Sequence, residues 1–122
     1  MSKIGDIVIV VIAIISLSLA SFPVAAQTAQ SHSVKIEPNS IVSGSAGVGY
    51  VDYLIGRISS TIAVRVMIYN NGELIYDEMS TYHYFYDHLD KGFMGIFVIN
   101  EDGIVATVSY RLTVGRHDII LS

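Results

Sequence analysis

The chain has 122 residues, a formal net charge of −4 and no cysteine. This length fits one domain of modest core once an apolar N-terminal segment is set aside. The acidic balance argues against nucleic acid or an anionic membrane surface as a partner, because sites for those partners are normally basic. The lack of cysteine excludes disulfides, thiolate catalysis and cysteine metal ligands.

The first element is an apolar run over residues 7–26 that contains no charged side chain. As a helix it would measure about 30 Å, the thickness of a bilayer's hydrocarbon core. Pro23 breaks the run just before the small residues that end at Ala26, which is the order of a secretory signal. We therefore expect residues 1–26 to be a signal peptide that is cleaved before Gln27, with an uncleaved membrane anchor as the alternative.

The N-terminus also offers a third interpretation. Lys3-Ile4-Gly5 before an apolar run resembles the leader of type IV pilins and archaeal flagellins, where a basic residue and a glycine precede the processed helix. The resemblance implies a pilin-like filament subunit, and it covers the leader alone. Val10 stands where those families usually keep an acidic residue, and Pro23 interrupts a helix that they usually continue. All three interpretations place the rest of the chain outside the cytoplasm.

After the leader we expect a flexible stalk, residues 27–32, and one domain over residues 33–122. Residues 33–37 alternate polar and apolar side chains, which is the period of a half-buried strand. The glycine-rich residues 44–49 lack the Lys-Ser/Thr ending of a phosphate-binding loop, so they predict a flexible loop or a glycine-kinked strand. Residues 50–58 are predicted to form another strand.

A hairpin is predicted next. Residues 61–69 alternate strictly, with four aliphatic side chains on one face. Asn71-Gly72 then predicts a type I′ turn, because both residues tolerate a positive φ. Arg65 is expected to face Glu78 if the loop has two residues, or Asp77 if it has three.

The most unusual composition follows at residues 82–88. On an extended backbone, one face carries the candidate partner-binding residues Tyr82, Tyr84, Tyr86 and His88, and the other carries His83, Phe85 and Asp87. Rows of tyrosine on a β-surface can stack on sugar rings or anchor a protein partner. The alternative is that they are ordinary strand-forming residues at the edge of the core.

A second hairpin is predicted from residues 92–99 and 104–114 around Asp102-Gly103. In that register Phe97 faces Val108, and the hairpin forms the centre of the core. A short closing strand over residues 117–121 follows.

No stretch after Pro23 shows a helical apolar period. About seven short strands with frequent turns predict an all-β fold, an immunoglobulin-like sandwich of antiparallel strands after the N-terminal hydrophobic helix. A small barrel is the alternative.

Catalysis is not expected, and neither is a cofactor or a metal. His88 beside Asp87, and His117 beside Asp118, are the only histidine–acid neighbours, and adjacent strand residues point to opposite faces. His83 and Asp87 share a face but place only two ligands, whereas a metal site needs three or four.

The sequence thus favours a non-enzymatic extracellular structural or adhesive subunit at a cell or virion surface. Such a subunit can assemble by strand donation, and the arm over residues 27–37 is a candidate donor. The alternatives are a secreted or membrane-tethered binding module that uses the aromatic surface, and the pilin-like filament subunit. The expected partners are further copies of the chain, another surface protein or a carbohydrate. An uncleaved segment 7–26 would add contact with the membrane.

Overall fold

The computed structural model describes residues 30–122. The hydrophobic segment over residues 1–26, the cleavage site between Ala26 and Gln27, and residues 27–29 of the predicted stalk lie outside this part of the chain. Within residues 30–122 we find no helix with the length and apolar character that crossing a membrane requires.

Antiparallel strands make up the fold of the described residues, so the predicted all-β class is confirmed. There are seven of them, and each lies next to neighbours that run in the opposite direction. In chain order they are β1 (His32–Ile36), β2 (Ser40–Val48), β3 (Tyr53–Asn70), β4 (Glu73–His88), β5 (Gly92–Asn100), β6 (Ala106–Val114) and β7 (His117–Asp118).

The 18-residue strand β3 organises the sheet, because it pairs with three other strands. Along one edge it pairs first with β6, through residues 54–60, and then with β5, through residues 65–70. The strand β4 follows the other edge. The curled sheet therefore has a β6 half, which holds β1, β6 and the paired ends of β3 and β4, and a β5 half, which holds β2, β5 and the rest of β3 and β4.

The two halves meet where β3 bends. Its pairing with β4 is interrupted between Ser59 and Val64. A bulge bends a strand without ending it, so the segments 50–58 and 61–69, predicted as separate strands, run together as β3.

The imidazole of His83 fills this bend. Its Nε2 lies 3.1 Å from the carbonyl oxygen of Val64 and 3.2 Å from that of Ser80. Because both neighbours are acceptors, Nε2 carries the proton and donates. Nδ1 then accepts a hydrogen bond from the hydroxyl of Tyr76, 2.7 Å away. His83 thus ties β4 to β3 across the bend.

The core lies inside the curl and draws on β1 to β6 and on the C-terminal segment. The alternation predicted for residues 61–69 is confirmed, since Val64, Val66 and Ile68 are fully buried and Ile62 packs against them. The inner faces of both halves are apolar and mostly aliphatic, so burial of apolar area drives the two halves together.

The turn at Asn71-Gly72 is also confirmed. Both residues have a positive φ, 52° and 84°, and the flanking residues Asn70 and Glu73 pair directly. A register shift between Ile68 and Tyr69 then moves the two strands by one residue. Arg65 consequently lies opposite Met79, and both predicted registers for it are wrong.

The predicted second hairpin is wrong. The strand β5 pairs with β2 and β3, whereas β6 pairs with β1 and β3. Phe97 lies opposite Ser43 and Met67 instead of Val108. A type I′ turn needs two positive φ angles, and neither Asp102 nor Gly103 has one. The chain therefore crosses from one half of the sheet to the other.

Asn100, at the end of β5, directs that crossing. Its side chain is fully buried, and Nδ2 donates to the carbonyl oxygens of Ile36 (3.0 Å) and Ile104 (2.7 Å). Its Oδ1 accepts from the backbone N–H of Asp102 at 2.9 Å. These contacts join the end of β5 to the end of β1 and to the approach to β6, so they hold the two halves together.

The C-terminal segment links the two halves of the sheet, from β6 to β2. The strand β7 is shorter than predicted, and the residues after it reach β2, where Ser43 and Ser122 exchange two backbone hydrogen bonds of 3.0 Å each. The glycine-rich residues 44–48 belong to β2, so they form a strand and not a flexible loop, and they pair with β5 without a register shift. A Cβ at Gly44 would lie 2.6 Å from the side chain of Ile119, so glycine is needed for this close approach.

Candidate functional site

The aromatic row, Tyr82, Tyr84, Tyr86 and His88, lies on the outer face of β4 in the β6 half. Its tyrosines are 52%, 65% and 65% exposed, while His83 and Phe85 between them are buried. The period of two along the strand produces this division. The structure thus brings the four predicted residues together on the surface and not in the core.

Tyr53, at the start of β3, extends this row. It lies opposite His88, its ring stacks on that of Tyr86 at a centroid distance of 5.4 Å, and it meets the His88 ring edge-on at 5.2 Å. Such contacts restrict the rings before any partner arrives, which lowers the entropy lost on binding. Sequence reasoning missed Tyr53, because its pairing with the end of β4 depends on a register that spans the whole hairpin.

Basic side chains continue this surface across the sheet. Arg57 on β3 lies between Tyr84 of β4 and Arg111 of β6. The outer face of the β6 half therefore combines aromatic rings with two guanidinium groups.

A second surface, the apolar face, lies on the outside of the β5 half. Its members come from β2, β3 and β5 and line a shallow groove of about 540 Å³; they are Ile41, Met67, Tyr69, Phe93, Phe97 and Ile99. Phe93 is 60% and Phe97 is 37% exposed. Tyr69 meets Phe97 edge-on at 5.9 Å.

Sequence reasoning assigned Phe93 and Phe97 to the core, and the structure places them outside. The strand β5 is apolar on both faces, with Met94, Ile96 and Val98 pointing inward. Such a run is typical of a strand that is covered on both sides. Apolar residues on both faces of β5 are therefore the sequence signal that could have indicated a covered outer face.

An ion pair borders the apolar face. Nε and Nη2 of Arg65 each lie 2.8 Å from a carboxylate oxygen of Asp77, and Nη1 lies 3.5 Å from Glu101. The hydrogen bonds from Arg65 lower the pKa of Asp77, and the same contact raises the pKa of Arg65. This bidentate pair is exposed, so it fixes side-chain geometry more than it stabilises the fold.

Metal ligands do not converge within residues 30–122, where no three His, Asp or Glu side chains cluster. Both ring nitrogens of His83 contact protein groups, and Asp87 points to solvent. Two other histidines also contact separate groups: Nε2 of His88 lies 3.3 Å from the carbonyl oxygen of Tyr50, and that of His32 lies 3.5 Å from Asp118. The fourth histidine of the described part, His117, is exposed in β7.

The predicted donor arm is ordered where it is described. The strand β1 pairs with β6 of its own chain, from His32 opposite Tyr110 to Ile36 opposite Ala106. Just before it, the backbone N–H of Gln30 donates to Asp118 at 3.2 Å.

The chain matches no protein-family model, and no curated protein matches it significantly.

Proposed function

We propose that this chain is a non-enzymatic extracellular structural or adhesive subunit, an exported β-domain of immunoglobulin-like size that acts through the outer faces of its sheet. The observation that carries the proposal is the apolar face of the β5 half. Monomeric soluble proteins seldom expose a contiguous apolar patch unless something binds it. Here Phe93, Phe97 and Ile41 are exposed side by side over a well-packed core.

The expected occupant is a further copy of the chain or another surface protein. Aromatic side chains in the middle of an interface contribute most of its affinity, and Phe93 and Phe97 provide such anchors. The rim is polar, with Arg65 and Asp77 on one side. Strand donation would use β1, which lies at the sheet edge. In that arrangement β1 detaches from β6 of its own chain and pairs with β6 of a neighbouring chain.

Light scattering and electron microscopy of the purified chain over a range of concentrations test this proposal. We expect association that the double substitution Phe93→Ser and Phe97→Ser abolishes. Val51→Ser is the matched control, because Val51 is 80% exposed and lies outside the apolar face. A wild-type chain that stays monomeric, in solution and on intact cells, contradicts the proposal.

Export is part of the proposal and has its own test. An intact mass that begins at Gln27 indicates a secreted domain, whereas one that begins at Met1 or Ser2 indicates an anchored one. A start at Asp6 would favour the pilin-like subunit. Ala26→Phe should retain the full-length chain in the membrane fraction, because signal cleavage needs a small residue there.

A second function, that of a binding module, is favoured by the aromatic row and its stack with Tyr53. Tyr84→Ala with Tyr86→Ala should weaken binding of a carbohydrate or protein ligand and change stability by no more than about 1 kcal/mol, as for exposed positions. Tyr50→Ala is the control, because Tyr50 is even more exposed, at 77%, but lies in the loop before β3. Unfolding of the double variant would show that the row supports the core instead.

A further inference from the structure

We propose that the outer face of the β6 half binds an acidic saccharide, a sugar ring that bears a carboxylate or a sulfate. In this site Arg57 and Arg111 bind the anionic group, and Tyr84 stacks on the ring. The inference rests on the binding-module function above and specifies its ligand class.

The first observation is the position of the two arginines. Arg57 and Arg111 lie directly opposite each other on antiparallel neighbours. Side chains in this relation start about 4.5–5.5 Å apart at Cβ, and like charges there destabilise a sheet. The protein as a whole is acidic, so a general excess of basic residues does not account for two arginines side by side.

The second observation is that neither arginine forms a salt bridge with a described carboxylate. Among residues 30–122, neither guanidinium has a carboxylate within 4.0 Å, whereas Arg65 has two. Arg111 donates from Nη2 to the hydroxyl of Ser31 at 3.0 Å. Its Nε is buried and has no acceptor. Because this Nε is closed to solvent, an oxyanion beside the pair would be bound by the terminal guanidinium nitrogens, above all those of the exposed Arg57.

The surroundings select the kind of anion. Two forked guanidinium groups match the oxygens of one carboxylate or sulfate. Tyr84 lies on the other side of Arg57, and its ring is mostly exposed. A tyrosine ring beside an anion site can stack on the apolar face of a sugar. Ser59 and Ser109, opposite each other one pleat further along, add hydroxyl groups for sugar oxygens.

A nucleic acid fits less well. Polyanions are bound by many cations along a track, and here the arginine pair stands next to aromatic and hydroxyl side chains. The face is therefore suited to one charged group on a ring.

Calorimetric titration of the purified chain with three probes tests the proposal: a glucuronate-containing disaccharide, a sulfated disaccharide and a neutral glucose disaccharide. We expect an acidic probe to bind at least about tenfold more tightly than the neutral one, since a charge-assisted hydrogen bond contributes that much. The first two probes distinguish carboxylate from sulfate.

Variants of the pair locate the site. Arg57→Gln or Arg111→Gln should weaken binding of the acidic probe about tenfold or more and leave the neutral probe unchanged. Arg116→Gln removes an exposed arginine elsewhere and should have no effect. Arg57→Lys keeps the charge and loses the fork, so we expect reduced affinity in a chain that folds normally.

The outcomes separate the two claims. Equal affinity for acidic and neutral sugars, unaffected by Arg57→Gln but lost in the Tyr84 and Tyr86 variant, overturns the anion site and leaves the binding module standing. Binding of none of the three probes overturns the anion site and the carbohydrate form of the binding module, and leaves only a protein ligand for the aromatic row. If Arg116→Gln weakens binding of the acidic probe as much as Arg57→Gln does, the proposed site is overturned, because the probe is then attracted nonspecifically to any arginine.

Discussion

The two halves of the sheet have the same interior and different exteriors. Both bury aliphatic side chains, and both use β3 and β4, which pass from one half to the other through the bend. Outside, the β6 half presents tyrosines and the arginine pair, whereas the β5 half presents aliphatic side chains and two phenylalanines.

This difference shows which side chains the fold requires and which it leaves free to vary. Both halves have an apolar interior, so the inward-facing side chains are determined by core packing. The same interior is compatible with an aromatic and basic outer face in one half and an apolar outer face in the other. Since β3 carries Arg57 on one side of the bend and Met67 on the other, the strand itself does not dictate the exterior. The outer side chains are therefore the place to look for function.

The largest effect is expected from a pair of glycines, one in each half. Gly56 on β3 has a φ of 145°, and a Cβ there would overlap the carbonyl oxygen of Arg111, whereas a Cβ at Gly47 on β2 would meet nothing within 4 Å. Gly56→Ala should lower the free energy of unfolding by about 3 kcal/mol or more, and Gly47→Ala by less than about 0.5 kcal/mol. Denaturant titration measures both, and similar values would contradict the difference in backbone packing.

Asn100→Ala should come next, because it removes the link between the halves. It removes the side-chain donor that the carbonyl oxygens of Ile36 and Ile104 share. We expect a loss of about 2–4 kcal/mol in the free energy of unfolding. Ser109→Ala, on the exposed outer face, is the control, and an equal effect for the two variants would show that Asn100 does not hold the halves together.

Tyr76→Phe tests the contact across the bend. It removes the hydrogen bond to His83, with an expected cost of about 1 kcal/mol. Burial first, and then the charges of Glu78 and Asp87, raise the pKa of Tyr76 above its ordinary value of 10.0. Its stabilising contribution is therefore complete below pH 10 and is lost as the pH rises through the folded-state pKa. Above pH 10 the wild type should lose stability more steeply than Tyr76→Phe, and parallel curves would argue against this.

Asp77→Asn should have the smallest effect, because the ion pair with Arg65 is exposed. The lowered pKa of Asp77 means that its contribution is present above the ordinary pKa of 3.8 and is lost as the pH falls through the folded-state pKa. Thermal unfolding between pH 2 and 5 should thus be slightly less pH-dependent in the variant. High salt should reduce the difference between the two proteins, and a difference that salt leaves unchanged would contradict this explanation.

The sequence was sufficient to predict the features that depend only on residues close together in the chain. The alternation of Val64, Val66 and Ile68 gave the inner face of β3, and the same period placed Tyr84 and Tyr86 together. The positive φ angles of Asn71 and Gly72 follow from the residue types alone.

Pairing over long distances in sequence was not predictable in this way. Asp102-Gly103 resembles a hairpin turn, but the buried hydrogen bonds of Asn100 to β1 redirect the chain. Because β5 is apolar on both faces, alternation does not tell whether Phe97 or Val98 points inward. The opposition of Arg57 and Arg111 depends on the register of strands that lie far apart in the sequence, so the arginine pair was not foreseen.

The continuity of β3 has a geometric consequence for anything built from this protein. A partner on the aromatic row and a partner on the apolar face would be joined through one unbroken strand, without a linker between them. The angle between the two partners is then set by residues 60–63 at the bend. Repeated copies would accumulate that angle, so the curvature of an assembly would be encoded in a few residues that touch neither partner.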